Sequence, residues 1–308
     1  MKYNELGDTG EELSVIGLGG HEFFEDGVRG FNSEEREQAI TPGLNLDGFG
    51  GERRLAIVRA AIEHGINVFD VTIDEEKDAI GRNLETLDPG SEVYVQTRPA
   101  GMVYTYGDHN EGLTDYERLR EEVKRMLGLL RRDQVDLLNF AFESGALEHT
   151  HNFFEQVGEN VRRLKQDGLI RFASADAQNQ ADYIEAIESG AFDSISIGFH
   201  LATPGYAEEV LPIASRQNIG VVTRAVFMKG TLFEMAEQAG IDDFDRVARA
   251  SIRWCLSHDA VTSVLVGVDT VEELEKNLEA LISDGLTAQD RSVIEELRAT
   301  EAFREQVS

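Results

Sequence analysis

The side chains able to do chemistry gather at the ends of short apolar runs. In "INVFDVTIDEEKDAIGRNLE", Ile66 to Glu85, a β-branched run delivers Asp70, and Glu75 follows five residues later where a helix begins. Arg98 ends "EVYVQTR", Asp176 ends "IRFASAD", His200 follows "FDSISIGF" and Arg224 lies within "IGVVTRAV". His21 and Glu22 follow "LSVIGLGG", and Glu143 follows "VDLLNFAF". Carboxylates, imidazoles and guanidiniums in one mouth suit proton transfer on a carboxylated or sugar-like substrate, with or without a divalent metal. Each residue also has a plainer role. Asp70 can cap a strand end or pair with Arg98, Glu75 can be a first-turn acid favoured by the helix dipole, and Arg98 and Arg224 can neutralise nearby carboxylates. His21 and His200 can be ordinary loop or core histidines. "HTH", His149 to His151, lacks a third ligand nearby, reads as exposed loop, and gives no metal site.

These positions need elements to hold them. Apolar, β-branched runs recur eight times, as "LSVIGLG", "INVFDVT", "EVYVQTR", "VDLLNFAF", "IRFASAD", "FDSISIGF", "IGVVTRAV" and "VTSVLVGV", each followed by a helical pattern. Eight strand–helix units predict an α/β fold, a single (β/α)8 TIM barrel, in which loops after strands form the active face. "KYNELGDTGEEL" predicts an N-terminal hairpin capping the barrel bottom, and "TAQDRSVIEELRAT" a C-terminal extra helix. No linker or second domain is read, so residues 1–308 are expected to form one barrel domain. Within it, residues 21–51 make a long active-face loop, of a length more often functional than ornamental.

Composition limits the function. The chain has 308 residues, 58 Asp and Glu against 29 Lys and Arg, and a formal net charge of −29, which argues against a nucleic-acid partner. The acids are spread along the chain and only six of the basic residues are Lys, a pattern similar to that of proteins from salt-accumulating halophiles. No run of 18 apolar residues and no signal-peptide pattern occurs, so a soluble, cytoplasmic protein without a membrane partner is expected. The single cysteine, Cys255, sits in a helical run and reads as a small buried hydrophobe. The oligomeric state is not legible.

"KYNELGDTGEELSVIGLGG", "GINVFDVT" and "WCLSHDAVTSVLVGVDTVEELEKNLEAL", in this order and over nearly the whole chain, resemble the aldo-keto reductase superfamily. The resemblance implies a barrel that transfers hydride between a nicotinamide cofactor, NAD or NADP, and a carbonyl or alcohol on a small molecule. It also implies a catalytic Asp, Tyr, Lys and His, of which only the Asp is matched, by Asp70. Glu75 stands where the tyrosine proton donor is expected, Arg98 at the lysine position and Ala141 at the histidine position. Among cofactor positions, Asp176 and Ala177 replace a Ser-Asn pair, Ser196 replaces a Gln, and Arg224 replaces an aromatic that stacks on the nicotinamide. In the adenosine segment Gly267 and Asn277 match, Lys276 occupies an acidic position, and Asp269 and Glu273 stand where basic or neutral residues often meet the ribose phosphate.

The resemblance therefore implies an oxidoreductase with an altered proton donor, Glu75, assisted by Asp70, Arg98, His21 and His200. Asp74 is expected to face solvent beside it. The alternatives are a repurposed non-redox barrel enzyme, an acid/base lyase or isomerase acting on a carboxylated or sugar-like substrate, and a non-catalytic binding protein.

Overall fold

The structure is a computed structural model, and it describes residues 1–20, 50–90, 92–99, 111–142 and 144–307. Apart from Gly50 and Gly51, the expected loop over residues 21–51 lies outside the described residues, as do His21, Glu22 and Glu143.

Eight parallel strands close into a barrel: β3 (Ile16–Gly19), β4 (Val68–Asp70), β5 (Tyr94–Thr97), β6 (Val135–Ala141), β7 (Ile170–Asp176), β8 (Ser194–Gly198), β9 (Gly220–Arg224) and β10 (Ser263–Val266), with β10 pairing back onto β3. The expected (β/α)8 fold is present, and its eight strands coincide with the eight apolar runs. Before it, β1 (Tyr3–Glu5) and β2 (Glu12–Ser14) form an antiparallel hairpin. Its turn packs against the connection into β9. At Gly7, where φ is +59°, a Cβ would lie 2.4 Å from the Asn218 carbonyl oxygen, so only glycine fits both the backbone and the space.

The described helices are α1 (Glu52–Glu63), α2 (Asp74–Leu87), α3 (Glu111–Thr114), α4 (Tyr116–Leu130), α5 (Ser144–His149), α6 (Phe153–Gln166), α7 (Gln180–Glu188), α8 (Gly205–Arg216), α9 (Thr231–Gln238), α10 (Phe244–Leu256), α11 (Val271–Leu278), α12 (Ala288–Arg298) and α13 (Glu301–Gln306). The expected C-terminal helix is α12, and α13 extends beyond it. Side-chain caps start several helices where the sequence offers them: Asp115, Asn179, Asp243, Thr270 and Thr287 each accept a backbone N–H of the first turn. Apolar helix faces such as Leu119, Val123, Met126 and Leu130 of α4 bury against the outer faces of the strands. Cys255 is buried in that layer, where burial pushes its thiol pKa upward.

A second, smaller cluster fills the barrel interior: Val68, Tyr94, Leu137, Val222 and Leu265, plugged by Leu6 and Leu13 of the hairpin. Side chains alternate across a strand, so residues two positions further on return to the interior one layer higher. There the lining turns polar, with Asp70, Gln96, Asn139, Ser174 and Arg224 in place of the aliphatics below. The switch from apolar to polar along each strand positions the candidate site at the C-terminal end of the barrel.

Candidate active site

Three alternate strands, β5, β7 and β9, supply one layer of this mouth. Arg98, just past β5, donates from Nη1 to Asp176 Oδ2 at 2.8 Å, and Arg224 at the end of β9 donates from Nη2 to Asp176 Oδ1. One carboxylate is thus held between two guanidiniums, with Arg98 and Asp176 buried and Arg224 partly open. Alternate strands of a (β/α)8 barrel contribute to common interior layers, which explains why residues 78 and 48 positions apart meet.

Asp70 sits on the neighbouring strand β4. Gln96, its register partner on β5, donates from Nε2 to Asp70 Oδ1 at 2.8 Å and more weakly to Ser196 Oγ at 3.4 Å. Burial pushes the Asp70 carboxyl above the ordinary carboxylate range, opposed by Arg98, Gln96 and Arg224. Tyr183 of α7 donates to the Ser196 carbonyl at 2.8 Å, and its hydroxyl lies 3.5 Å from Asp176 Oδ1. Tyr206 of α8 stacks edge-on against Tyr183, with ring centroids 5.9 Å apart. His200 accepts the Ala202 N–H at Nδ1, so its ring proton is on Nε2. Burial, and then Arg224, push its pKa down to about 4, which keeps the imidazole neutral at physiological pH.

Glu75 is the second residue of α2, wholly buried, and neither carboxyl oxygen has a hydrogen-bond partner among the described residues. Burial pushes its pKa from 4.5 to about 7, partly opposed by the residue's own backbone N–H; Asp74 raises it further and Lys77 lowers it. Among the described residues, the charges that act on Glu75 are those of its own helix, Asp74 and Lys77, whereas those that act on Asp70 are Arg98, Arg224 and Asp176. The structure brings Asp70, Arg98, Asp176, Ser196 and Arg224 together, with His200 close to Arg224, and sets Glu75 in a separate electrostatic neighbourhood.

The expectation that Asp74 faces solvent is wrong. Its side chain is buried, accepting from Lys77 Nζ at 3.2 Å and from Arg125 Nη1 and Nη2 at 2.5 and 3.0 Å. Lys77, also fully buried, donates further to the Thr72 carbonyl at 2.8 Å, and Glu76 Oε2 accepts the Thr72 N–H at 2.6 Å. A charged window that looks like a solvated surface is internal because its charges are paired across α2 and α4.

In the adenosine-like segment, Gly267 and Val268 follow β10, and Thr270 caps α11 by accepting the Glu273 N–H at 3.1 Å. Glu273 in turn accepts the Asp269 N–H at 2.8 Å, and Asn277 is buried. Lys276 pairs with Asp245 and Glu272 at 3.1 and 3.0 Å. Arg53, in the first turn of α1, reaches this segment and donates to the Asp269 carbonyl at 2.9 Å.

For a nicotinamide nucleotide, the mouth offers an acceptor in Asp176, a hydroxyl in Ser196 and a donor in Arg224, while the buried Gln96 Oε1 has no partner among the described residues. Such a donor and acceptor set fits an amide. Among the described residues, no group of three or more His, Cys, Asp or Glu is placed to hold a metal ion. Sequence reasoning missed Gln96, although alternation two residues before Arg98 could have found it. It also missed Lys77, Arg53, Tyr183 and Tyr206, which no local signal assigns to a site.

A closed parallel barrel with a polar, charged mouth at its C-terminal strand ends defines a (β/α)8 enzyme. Residues 47–299 match the model of the Aldo/keto reductase family, so the chain belongs to that family and is with it an oxidoreductase. It is 22% identical over 330 aligned positions to L-galactose dehydrogenase of Arabidopsis thaliana, covering 97% of this chain and 94% of that protein. It is 26% identical over 285 positions to the uncharacterized oxidoreductase YqkF of Bacillus subtilis (strain 168), covering 80% and 89%. In structure it is similar to the aldo-keto reductase AKR11C1 from Bacillus halodurans, with a TM-score of 0.71 and 20% identity for the holo form and 0.66 and 19% for the apo form, each covering 96% of both chains.

Proposed function

We propose that this protein transfers hydride between NAD or NADP and a carbonyl or alcohol group of a small molecule, with Glu75 in place of the usual phenol as proton donor. The observation that carries this reading is the Glu75 carboxyl: wholly buried, without a hydrogen-bond partner among the described residues, and held near pKa 7. A carboxylic acid with that pKa is half protonated at neutral pH, which suits it to give a proton to a developing alkoxide and to take it back in the reverse direction. The cofactor, when bound, supplies the hydride. Asp176 and Ser196 would take its amide end with Arg224 beside them, and Gly267, Asp269 and Asn277 its adenosine end; Lys276 would join only by leaving Asp245 and Glu272. Asp70 and Arg98 would set the polarity of the mouth around the carbonyl, with neutral His200 as a hydrogen-bond donor. His21 is proposed as a further contributor on the strength of its place after the first strand run.

Two features support the wider setting: the acid excess suits a cytoplasm rich in salt and disfavours nucleic acid, and no helix among the described residues is long and apolar enough to cross a membrane. The test is a titration of NADH and NADPH in molar KCl, followed by nicotinamide fluorescence, and then turnover of a carbonyl panel by the wild type and Glu75→Gln. Binding of at least one nucleotide with turnover that depends on Glu75 is expected. Absence of binding by either nucleotide would sink the redox reading.

One observation favours a second reading, a non-redox acid/base enzyme. Arg98, Asp176 and Arg224 form an ion cage, whereas the resemblance implies neutral contacts to nicotinamide at the positions of Asp176 and Arg224 and the catalytic lysine at that of Arg98. A lyase or isomerase on a carboxylated or sugar-like substrate would use that cage for binding and Asp70 for proton transfer.

A further inference from the structure

Val71, Thr72 and Ile73 join the end of β4, at Asp70, to the start of α2, where Glu75 is the second residue. Each N–H of this turn is taken. The Val71 N–H goes to the Gln96 carbonyl of β5 at 3.0 Å, and those of Thr72 and Ile73 go to Glu76 Oε2 at 2.6 and 3.4 Å. Lys77 holds the carbonyls. Its backbone N–H donates to the Ile73 oxygen at 3.0 Å, and its ammonium donates to the Thr72 oxygen at 2.8 Å. Gly20, past the end of β3, leaves room on the far side: a Cβ there would lie 2.7 Å from the Asp70 carbonyl oxygen and 2.9 Å from Glu76 Oε2.

The lysine grips this turn from full burial, with Asp74 as its carboxylate partner at 3.2 Å. Burial lowers its pKa, opposed by Asp74 and Glu122, while Arg125 of α4 adds to the lowering. An ammonium inside a protein is costly to keep, and helices start without one. The Glu75 carboxyl is the group that needs such a grip. Neither of its oxygens has a hydrogen-bond partner among the described residues, so its place is set by the backbone that carries it.

We infer that Lys77 is a positioning residue for Glu75: by holding the Thr72 carbonyl it fixes the turn that keeps the Glu75 carboxyl in its buried place. The functional meaning of this grip rests on the proposed role of Glu75 as proton donor. Two effects of losing Lys77 have opposite signs. Removal of its positive charge raises the Glu75 pKa, whereas release of the turn opens the carboxyl to water and lowers it. Burial is the largest cause of the raised value and the charge of Lys77 the smallest of those acting on it, so the net movement is downward.

The experiment uses the full chain without cofactor. Infrared difference spectra against the matching Glu75→Gln protein isolate the protonated carboxyl band of Glu75, and its loss is followed with pH. The wild-type midpoint is expected at about 7. Lys77→Met, in which Asp74 keeps Arg125 at 3.0 Å, is expected to move it down by about one pH unit or more. A purely structural lysine would lower the melting temperature and leave the midpoint in place. If Lys77→Met fails to fold, Lys77→Arg keeps the charge, replaces the compact ammonium with a wider planar group, and is expected to move the midpoint in the same direction. An unchanged or raised midpoint in the folded variant would overturn the inference. So would a wild-type midpoint in the ordinary carboxylate range, since no buried carboxyl would then be held. The two readings fail separately. A midpoint that follows Lys77, with carbonyl turnover indifferent to Glu75→Gln, keeps the positioning and removes the proton donor. Turnover that depends on Glu75, with a midpoint indifferent to Lys77, keeps the donor and removes the positioning.

Discussion

Glu75 and Asp74 are adjacent in the chain, both buried, and opposite in kind. Glu75 has no partner among the described residues and a pKa near 7, whereas Asp74 is neutralised by Lys77 and Arg125. Glu75→Gln is expected to keep the fold and ligand affinity while lowering turnover by about 10²- to 10⁴-fold, the usual contribution of a positioned acid. If Glu75 donates the proton, the rate of carbonyl reduction falls as pH rises through about 7, and the rate of alcohol oxidation rises through the same point. The stability sign follows from the same shift. The folded pKa lies above the unfolded value of 4.5, so the fold holds its proton longer than the unfolded chain does, and stability is lost as pH rises from 4.5 toward 7. The loss is at most about 3.5 kcal/mol, at roughly 1.4 kcal/mol per pKa unit. Urea unfolding at about pH 5 and about pH 8 should therefore show a wild-type decline that is smaller in Glu75→Gln. An identical decline in both proteins would deny Glu75 its raised pKa. Asp74→Asn should cost about 3 kcal/mol, because it leaves the buried Lys77 ammonium without its counter-charge. Replacing Lys77 with Met in that background should recover part of the loss; if it recovers nothing, the pairing does not account for the burial.

At the scale of elements, α2 and α4 approach closely because Gly81 lacks a side chain: a Cβ there would lie 2.4 Å from the Leu129 carbonyl oxygen. That approach lets Arg125 of α4 reach Asp74 at the start of α2. Gly81→Ala should cost about 1–3 kcal/mol by overpacking, despite alanine's better helix propensity, and a melting curve unchanged by the substitution would contradict the geometry. The adenosine-like segment makes a second element-scale prediction. Asp269 and Glu273 stand against a 2′-phosphate, while Arg53 of α1 holds the Asp269 carbonyl from the neighbouring unit. With charges of both signs present, no strong preference of NADPH over NADH is expected in fluorescence titrations. A hundredfold tighter NADPH would assign the phosphate to Arg53, and Arg53→Ala would then remove the difference.

For the whole molecule, the formal charge of −29 opposes the compact state through self-repulsion. The screening length falls from about 10 Å at 0.1 M salt to about 3 Å at 1 M, which removes most of that cost. The unfolding midpoint should therefore rise between about 0.1 and 2 M KCl, even though screening also weakens exposed pairs such as Arg162–Glu159. A flat midpoint across that range would show that the acids are spaced too widely to matter. By itself the sequence determined the barrel, because strand and helix periodicities are local and eight alternating units have one common closed solution. It also marked Asp70, Arg98, Asp176 and Arg224 as strand-end residues, since position along a strand is local too. Which charges meet was decided by closure of the barrel, which brings β5, β7 and β9 to one layer and joins residues 78 and 48 positions apart through Asp176. The burial of Asp74 and Lys77 was decided by the packing of α2 against α4. A run of charges reads as surface until the partners that neutralise it are folded against it, because electrostatic pairing depends on distance in space and carries no periodic signature along the chain.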